Sequence, residues 1–338
     1  MREILEKLRD RTELSTAEME SLFSDLMAGT VPHAAAGAAL ALLSSKGPTP
    51  GELAVAATVM RRHALAFDTG HGGDDILDTC GTGGDNRGTF NISTAAAIVA
   101  AGAGARVVKH GNRSSTSKSG SADVLEVLGV RIDVPTVRLP AILAHAGVCF
   151  CFARSHHPAM KNVAEVRAAL GIPTVFNLLG PLTNPASAKR QLLGVYRPEL
   201  LYLLAETLQR LGSVHAWVVH GTDGLDELTT MASTSVAEVK DGKITRHVVD
   251  PRDLGIPRPD LADLKAADPA ASADIIRNIL AGQKGAPRDI AALNAAAALL
   301  VAGKTPSLHA GLQLATTAID SGAAQAALDR LIQATSES

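Results

Sequence analysis

The sequence predicts an α/β protein with a small all-helical domain and a larger domain in which a mostly parallel β-sheet is flanked by helices. Two observations predict this fold class. Residues 1 to about 66 show only helical patterns, whereas short apolar runs alternate with amphipathic segments from Asp74 onward. Strands that alternate with helices favour a parallel sheet. The 338 residues are 46% hydrophobic, which suffices for a large core, and this length favours two domains.

The N-terminal part is predicted to be helical from its spacing and its caps. Ile4, Leu5 and Leu8 recur at helical spacing, and Ser15 is placed to cap a second helix that carries Glu18 in its first turn. Prolines separate the next two helices, and a glycine-rich linker at residues 70–73 ends this part of the chain.

The larger part alternates strands with helices and then becomes helical. The predicted strands are residues 76–80, 106–109, 148–152, 191–195 and 214–219, with a β-hairpin of 236–240 and 244–249 around Asp241-Gly242. The predicted helices are residues 93–101, 122–128, 137–146, 161–170 and 200–211, and the chain is helical after Ser272. Gly129 stands where a helix ends.

Composition excludes several classes of protein. A formal net charge of −2 and a pI of about 6.6 give no bulk attraction to nucleic acid. Three cysteines, Cys80, Cys149 and Cys151, are too few and too irregularly spaced for a disulfide framework or a zinc site. No signal-peptide core and no long apolar stretch are present. We therefore expect a cytoplasmic protein that binds neither a membrane nor nucleic acid.

A basic, serine-rich loop is the most informative stretch of the chain. Residues 109–121 (KHGNRSSTSKSGS) contain three cations, one histidine and six hydroxyls between a predicted strand and a predicted helix. Loops at this position bind phosphate in many α/β proteins. The loop therefore predicts a phosphate site, and the alternative is a solvated basic turn.

A glycine loop follows the first strand. Residues 81–85 (GTGGD) precede a helix whose start carries Asn91, Ser93 and Thr94 as capping side chains. Asn86 breaks the dinucleotide-binding fingerprint, and the Gly-Lys-Ser/Thr of a Walker loop is absent. The pattern indicates an anion site with hydroxyls in reach of a metal, or else an ordinary tight turn.

Two further motifs each admit two interpretations. Asp226 and Glu227 follow a strand and are typical of a hard-cation site, although a solvated acidic turn has the same composition. Arg167, six residues after Lys161 on one predicted helix, suits a substrate carboxylate if it is buried and is otherwise a surface arginine. Adjacent His156 and His157 rarely ligate the same ion.

Together these segments resemble the anthranilate phosphoribosyltransferases of tryptophan biosynthesis. The motifs that carry the resemblance occur in the family's order at residues 81–85 (GTGGD), 91–94 (NIST), 109–113 (KHGNR), 118–123 (KSGSAD), 157–160 (HPAM), 177–185 (NLLGPLTNP) and 226–227 (DE). The resemblance covers essentially the whole chain, but the region beyond about Asp250 carries no motif.

The resemblance implies an architecture and a reaction. It implies a helical domain of residues 1–70 plus about 164–186, through which two copies form a homodimer, and an α/β domain of residues 71–163 plus 187–338. The implied reaction transfers phosphoribose from 5-phosphoribosyl 1-diphosphate (PRPP) to the amine of anthranilate, with Mg²⁺ as cofactor. Neither a covalent nucleophile nor an obligatory base is implied.

The resemblance also implies three groups of site residues. The donor site comprises Gly81, Gly84, Asp85, Thr89, Asn91, Ile92, Ser93, Thr94, Lys109, His110, Gly111, Asn112, Arg113, Ser114, Ser115, Thr116, Ser117 and Ser121. The anthranilate site comprises Gly81, His110, Asn112, His157, Arg167 and Pro181. The metal ligands are Ser93, Asp226 and Glu227.

Two alternatives remain at this stage. Pyrimidine nucleoside phosphorylases share the architecture, but they would need a nucleobase site in place of His110, Asn112 and Arg167. A non-catalytic, nucleic-acid-binding relative would show a basic surface stripe and a lost acidic pair. The net charge of −2 and the intact Asp226-Glu227 pair count against the second alternative.

Overall fold

A seven-stranded sheet organises the larger part of the computed structural model, which describes residues 1–114 and 119–337. The strands are β1 (Leu77–Gly81), β2 (Val107–Gly111), β3 (Val148–Phe152), β4 (Arg190–Gly194), β5 (His215–Gly221), β6 (Thr234–Lys240) and β7 (Lys243–Val249). Their order is β3-β2-β1-β4-β5-β6-β7, with β1 to β5 parallel and β6 and β7 antiparallel.

The strand order reverses between β1 and β4. The chain runs outward from β1 through β2 to β3 and then returns to form β4 on the other side of β1. Strand order of this kind predicts a crevice at the carboxyl edge of the sheet, between the connections that leave β1 and β4. Ligands of open α/β sheets bind in such crevices.

Fifteen α-helices surround this sheet or precede it in the part of the chain described. Before the sheet come α1 (Arg2–Arg9), α2 (Thr16–Ala28), α3 (His33–Lys46) and α4 (Pro50–Arg62). Between the strands lie α5 (Ile92–Gly102), α6 (Ser121–Val127), α7 (Leu139–Ala146), α8 (Ala153–His156), α9 (Lys161–Leu170), α10 (Phe176–Leu179) and α11 (Leu200–Arg210). The last four are α12 (Pro269–Leu280), α13 (Ala286–Val301), α14 (Leu308–Asp320) and α15 (Ala323–Ser336).

Two hydrophobic cores lie on opposite faces of the sheet. On one face, α5 is almost wholly buried because it lies between the sheet and helices α13 and α15. Its small side chains permit this close approach, since a Cβ on Gly102 would come within 2.6 Å of the Ala324 backbone. On the other face, α11 joins the N-terminal helices, and α9 packs on α2 and α3.

The structure confirms the predicted fold class and most element positions. Ser15 caps α2 in a capping box with Glu18, and Asp241 and Gly242 form the hairpin turn with positive φ of 50° and 70°. The last helical region begins at Pro269 rather than after Ser272, because Asp268 accepts a hydrogen bond from the Ala271 amide at 2.8 Å and starts the helix earlier. Within the described residues, no helix is long and apolar enough to cross a membrane.

Candidate functional site

The predicted motifs meet at the carboxyl edge of the parallel strands. The glycine loop follows β1, the basic loop follows β2, and the acidic pair lies in the segment that follows β5. Gly81 at the end of β1 and Gly194 at the end of β4 are direct neighbours in the sheet register. The site therefore lies at the point where the strand order reverses.

Gly194 allows the acidic segment to lie on the ends of β1 and β4. A Cβ on Gly194 would lie 1.6 Å from the Asp226 carbonyl oxygen, and a Cβ on Gly81 would lie 3.3 Å from Asp226 Oδ2. Only a residue without a side chain fits at position 194. The backbone of Asp226 is thus seated directly on the central strands.

Three carboxylates come together where this segment faces the glycine loop. Desolvation by the surrounding protein, together with repulsion from Asp85 and Glu227, raises the pKa of the Asp226 carboxyl well above its ordinary value. Desolvation also raises the pKa of Glu227 to about 7; Lys109 opposes this rise, whereas Asp85 adds to it. Such mutual repulsion would be relieved by a bound cation.

This carboxylate cluster fits a cation that takes further ligands from its substrate. In residues 1–114 and 119–337, no three His, Cys, Asp or Glu side chains are arranged to hold a metal by themselves. Oxygen donors in an incomplete set suit Mg²⁺, which is held by one or two carboxylates together with substrate phosphates. Asp226 and Glu227 are therefore compatible with the predicted metal site.

The start of α5 connects the acidic pair to a buried lysine. The Ser93 amide donates to Glu227 Oε1 at 3.1 Å, and Lys109 Nζ lies 3.3 Å from Ser93 Oγ. Lys109 is only 4% exposed and also donates to the Thr79 carbonyl oxygen. The Lys109 ammonium group therefore lies next to the Ser93 hydroxyl, at the start of α5. Burial lowers the pKa of Lys109, an effect that Asp78 opposes.

Thr94 presents a hydroxyl that the protein leaves unpaired. Its side chain is buried, and Oγ1 has no hydrogen-bond partner among the residues that the structure describes. A buried hydroxyl without a hydrogen-bond partner costs free energy on folding, unless a ligand or a water molecule supplies the missing bond. Because it lies in the first turn of α5, this hydroxyl is available to a ligand.

The ends of the basic loop are held together by Asp123 on α6. One carboxylate oxygen, Oδ2, accepts from the Gly120 amide at 2.9 Å and from the Ser114 amide at 3.1 Å. The chain is so close at this point that a Cβ on Gly120 would lie 2.3 Å from the Ser114 nitrogen. Residues 114 and 120, on either side of the part of the loop outside the described residues, are therefore close together.

Arg113 is directed toward α6 in this structure. Its guanidinium makes two hydrogen bonds with Glu126, at 2.5 and 2.8 Å, and one with Asp123 at 3.0 Å. The carboxylates of Glu126 and Asp123 therefore neutralise the positive charge of Arg113, which the sequence analysis predicted to bind phosphate. Arg113 therefore fixes the base of the loop, while the neighbouring Asn112 side chain remains exposed.

Two histidines form a buried pair between the sheet and the segment that follows α10. Nε2 of His110 and Nε2 of His157 are 3.2 Å apart, and His110 Nδ1 lies 3.1 Å from the Gly180 carbonyl oxygen. Because that carbonyl can only accept, Nδ1 carries the proton of the neutral His110 ring, and its Nε2 is left as an acceptor that faces His157. Burial, reinforced by the neighbouring histidines, lowers the pKa of His110 to about 3 and that of His157 to about 4, so both rings are neutral at pH 7.

Arg167 on α9 is half-buried and stacks on an aromatic ring. Its guanidinium carbon lies 5.3 Å from the centroid of the Phe176 ring. In the described parts of the chain, no hydrogen bond or ion pair engages this guanidinium. This cation–π contact leaves the N–H donors of the guanidinium available, an arrangement that suits a carboxylate.

Buried polar side chains anchor the segment at residues 180–184 to the sheet. Asn184 Nδ2 donates to Asp78 Oδ2 and to the Val108 carbonyl oxygen, each at 2.8 Å. Gln191 Nε2 donates to the Pro181 carbonyl oxygen at 2.6 Å. These bonds fix Gly180 and Pro181 beside the histidine pair.

Comparisons with known proteins identify the family. The helical bundle domain of a glycosyl transferase family matches residues 2–64, and the a/b domain of that family matches residues 73–325. The anthranilate phosphoribosyltransferase of Parvibaculum lavamentivorans is 50% identical over 332 residues, which cover 98% of this chain and 96% of that protein.

The chain belongs to the anthranilate phosphoribosyltransferase family.

Solved structures of the family superpose on the whole chain. The Thermus thermophilus enzyme has a TM-score of 0.92 at 42% identity, covering 98% of this chain and 99% of that one. The Saccharomyces cerevisiae enzyme in complex with PRPP and Mg has a TM-score of 0.89 at 28% identity, covering 99% and 98%. The yeast enzyme has also been solved with 4-fluoroanthranilate, with a TM-score of 0.87 at 27% identity and the same coverage.

Two of the predicted donor residues, Asn91 and Ile92, stand at the start of α5. The Ile92 side chain faces the core and is 2% exposed, so it can offer only backbone to a ligand. Asn91 stands at the N-cap of α5, but the predicted capping bond is wrong, because its side chain makes no cap hydrogen bond and turns to Ser119 and Ser272 instead. Ser115, Thr116 and Ser117 lie outside the described residues.

Sequence reasoning missed residues that act from outside the family motifs. Gly194 ends a strand and carries no local signal beyond its residue type. Ser272 belongs to the motif-free C-terminal region, and its hydroxyl lies 2.7 Å from Asn91 Oδ1. A hydrogen bond between these two residues cannot be predicted from a local sequence pattern, because they are 181 residues apart.

Proposed function

We propose that this protein transfers the phosphoribosyl group of PRPP to the amine of anthranilate, which gives N-(5-phosphoribosyl)anthranilate and diphosphate in tryptophan biosynthesis. The observation that carries this proposal is the convergence of the glycine loop, the start of α5 and the Asp226-Glu227 pair at the β1–β4 crevice, in a chain of this family. The yeast relative, solved with PRPP and Mg, supports the same substrate.

The donor would lie against the start of α5. Backbone N–H groups of the glycine loop and the Thr94 hydroxyl would bind phosphate oxygens. Asp226 and Glu227 would hold Mg²⁺, whose chemistry when bound is to neutralise negative charge on the departing diphosphate. The protein's share of the reaction is then to hold the ribose carbon in a fixed position.

The acceptor would lie on the side of Arg167 and the histidine pair. Arg167 would bind the carboxylate of anthranilate in two-pronged fashion, and Asn112 would orient the amine. An aromatic amine is already neutral at pH 7, so in-line placement suffices and no strong base is required. The neutral rings of His110 and His157 suit this role, because they add no charge beside the amine.

A fluorescence assay tests the function directly. Anthranilate fluorescence should fall only when PRPP and Mg²⁺ are both present, and diphosphate should appear in equal amount. Omission of either component should stop the reaction. No anthranilate consumption, with phosphorolysis of a pyrimidine nucleoside instead, would replace the proposal by the nucleoside phosphorylase alternative.

We further propose a cytoplasmic homodimer whose helical domain comprises residues 1–70 plus about 164–186. The packing of α9 on α2 and α3 supports this domain division. A groove of about 430 Å³ between α3 and α9, lined by His33, Gly37, Glu165 and Val166 among others, supports an interface on this domain. Light scattering coupled to gel filtration should give twice the chain mass, and a monomer would exclude the dimer.

A further inference from the structure

Asn91 is the centre of a polar cluster at the start of α5. Its Oδ1 accepts from the Ser119 hydroxyl and from the Ser272 hydroxyl, each at 2.7 Å. Its Nδ2 donates to the Ser119 carbonyl oxygen at 3.2 Å, and its backbone amide donates to Ser272 Oγ at 2.9 Å. Asn91 therefore joins the basic loop to the C-terminal helix α12.

The amide of Asn91 keeps one donor for a ligand. The Ser119 carbonyl can only accept, so it fixes which end of the amide is Nδ2 and uses one of the two N–H groups. Within the described residues, the other N–H has no partner. This N–H group lies at the start of α5, in an orientation that its neighbours determine.

Ser272 is held firmly in the position from which it contacts Asn91. Its side chain is completely buried, and it lies in the first turns of α12, which Asp268 caps. The segment before α12 pairs with the chain between the glycine loop and α5, since the Phe90 amide donates to the Leu264 carbonyl at 2.9 Å and the Ala266 amide to the Gly88 carbonyl at 3.0 Å. Residues 264–272 thus pack against the chain that leads into α5.

We propose that Ser272 is a positioning residue for the PRPP site, which orients Asn91 and, through Asn91, Ser119 at the end of the basic loop. This inference rests on the proposed function and extends it to a region that carries no family motif. Ser272 acts through Asn91, because its buried hydroxyl donates to Asn91 Oδ1 and accepts from the Asn91 amide. Within the described residues, Arg167 and the rings of the histidine pair make no hydrogen bond to Asn91 or Ser272, so we expect acceptor binding to be independent of Ser272.

The test is a double-mutant cycle with a matched control. The variants are Ser272→Ala, Asn91→Ala and the double variant. The control is Thr207→Val, which removes an equally buried hydroxyl; among the described residues, that hydroxyl bonds only to the Leu203 carbonyl on α11. Calorimetric titration with PRPP and Mg²⁺ measures donor affinity, and steady-state kinetics give both KM values. Thermal melting establishes that each variant is folded.

Ser272→Ala should weaken PRPP binding by about 5- to 30-fold, the effect of one or two lost hydrogen bonds. The KM for anthranilate should change by less than about twofold, and Thr207→Val should leave both unchanged. In the Asn91→Ala background, Ser272→Ala should have almost no further effect, because the residue acts through Asn91. If Ser272→Ala does not fold, Ser272→Cys keeps the volume and weakens the bonds in the same titration.

Three results would overturn the proposal: unchanged PRPP affinity, an equal loss of affinity for both substrates, or fully additive effects in the cycle. The proposed function fails separately. A wild-type protein that binds PRPP but makes no phosphoribosylanthranilate refutes the reaction and leaves Ser272 testable by calorimetry. A wild-type protein that does not bind PRPP refutes both.

Discussion

Replacement of Gly194 by alanine should disable the acidic pair without touching it. The added Cβ would lie 1.6 Å from the Asp226 carbonyl oxygen, and Cβ atoms do not approach other heavy atoms closer than 3.0 Å. The two backbones must therefore separate by about 1.4 Å. The atoms that clash with the added Cβ belong to the backbone of Asp226, so no flexible side chain can move aside to absorb the shift. β4 also lies in the middle of the sheet, where its own backbone is held on both sides.

This displacement has a calculable effect on activity. A misplacement of about 1 Å at a catalytic centre costs on the order of a hundredfold in rate. We therefore expect kcat/KM to fall by at least about a hundredfold and the Mg²⁺ concentration for half-maximal rate to rise. Overpacking should also lower the free energy of unfolding by about 1–3 kcal/mol.

The assay is anthranilate consumption over a Mg²⁺ series, beside urea denaturation of the same preparations. Gly51→Ala is the control, because its Cβ would meet nothing closer than 3.6 Å, in a helix far from the crevice. A Gly194→Ala protein with wild-type kcat/KM and an unchanged Mg²⁺ response would refute the claim that the close contact between Gly194 and the Asp226 backbone positions the metal ligands.

Three further predictions concern individual side chains. The double change Asp226→Asn with Glu227→Gln should lower kcat and raise the Mg²⁺ requirement by at least about tenfold, measured by Mg²⁺ titration. Arg167→Ala should raise the KM for anthranilate by about 10- to 100-fold and the KM for PRPP by less than about twofold, measured by steady-state kinetics, with Arg167→Lys intermediate. Acidification should destabilise the fold through His110 and His157, whose folded-state pKa values of about 3 and about 4 lie below the ordinary 6.5. Their stabilising effect is complete above pH 6.5 and is lost as the pH falls toward 4 and then 3; at pH 5 each histidine costs about 2 kcal/mol, measured by urea denaturation at pH 7 and 5.

Each of these has a contrary outcome. An unaltered Mg²⁺ profile would remove Asp226 and Glu227 from the metal site. Equal effects on both KM values would refute the carboxylate role of Arg167. For the histidines, His157→Gln should flatten the dependence of stability on pH, and parallel slopes for variant and wild type would refute the assignment.

Much of the fold could be predicted because its signals are local. Ser15 and Glu18 form a cap within one turn, and Asp241-Gly242 supplies the two positive φ angles of a tight hairpin. The strands were predicted to within about two residues, since each is a short apolar run bounded by glycines or polar residues. The family resemblance rested on the same local motifs.

The conformation of the site residues was less predictable, because a side chain chooses among partners that the sequence places far away. Arg113 was predicted to face a phosphate but pairs with Glu126 on the following helix. Lys109 was predicted from a basic loop but lies buried beneath Ser93. In both cases the sequence showed that a positive charge is present, but it could not show which groups the side chain would contact.

The sequence by itself determined the order of strands, helices and loops, and the residue types available at the sheet edge, since caps, periodicity and glycine positions act over a few residues. Only the tertiary structure decided which of these residues meet. Asp226 rests on Gly194, His157 pairs with His110 across 47 residues, and Ser272 reaches Asn91 across 181. The physical reason is that the reversal of strand order between β1 and β4, which no local pattern encodes, brings distant loops to one crevice.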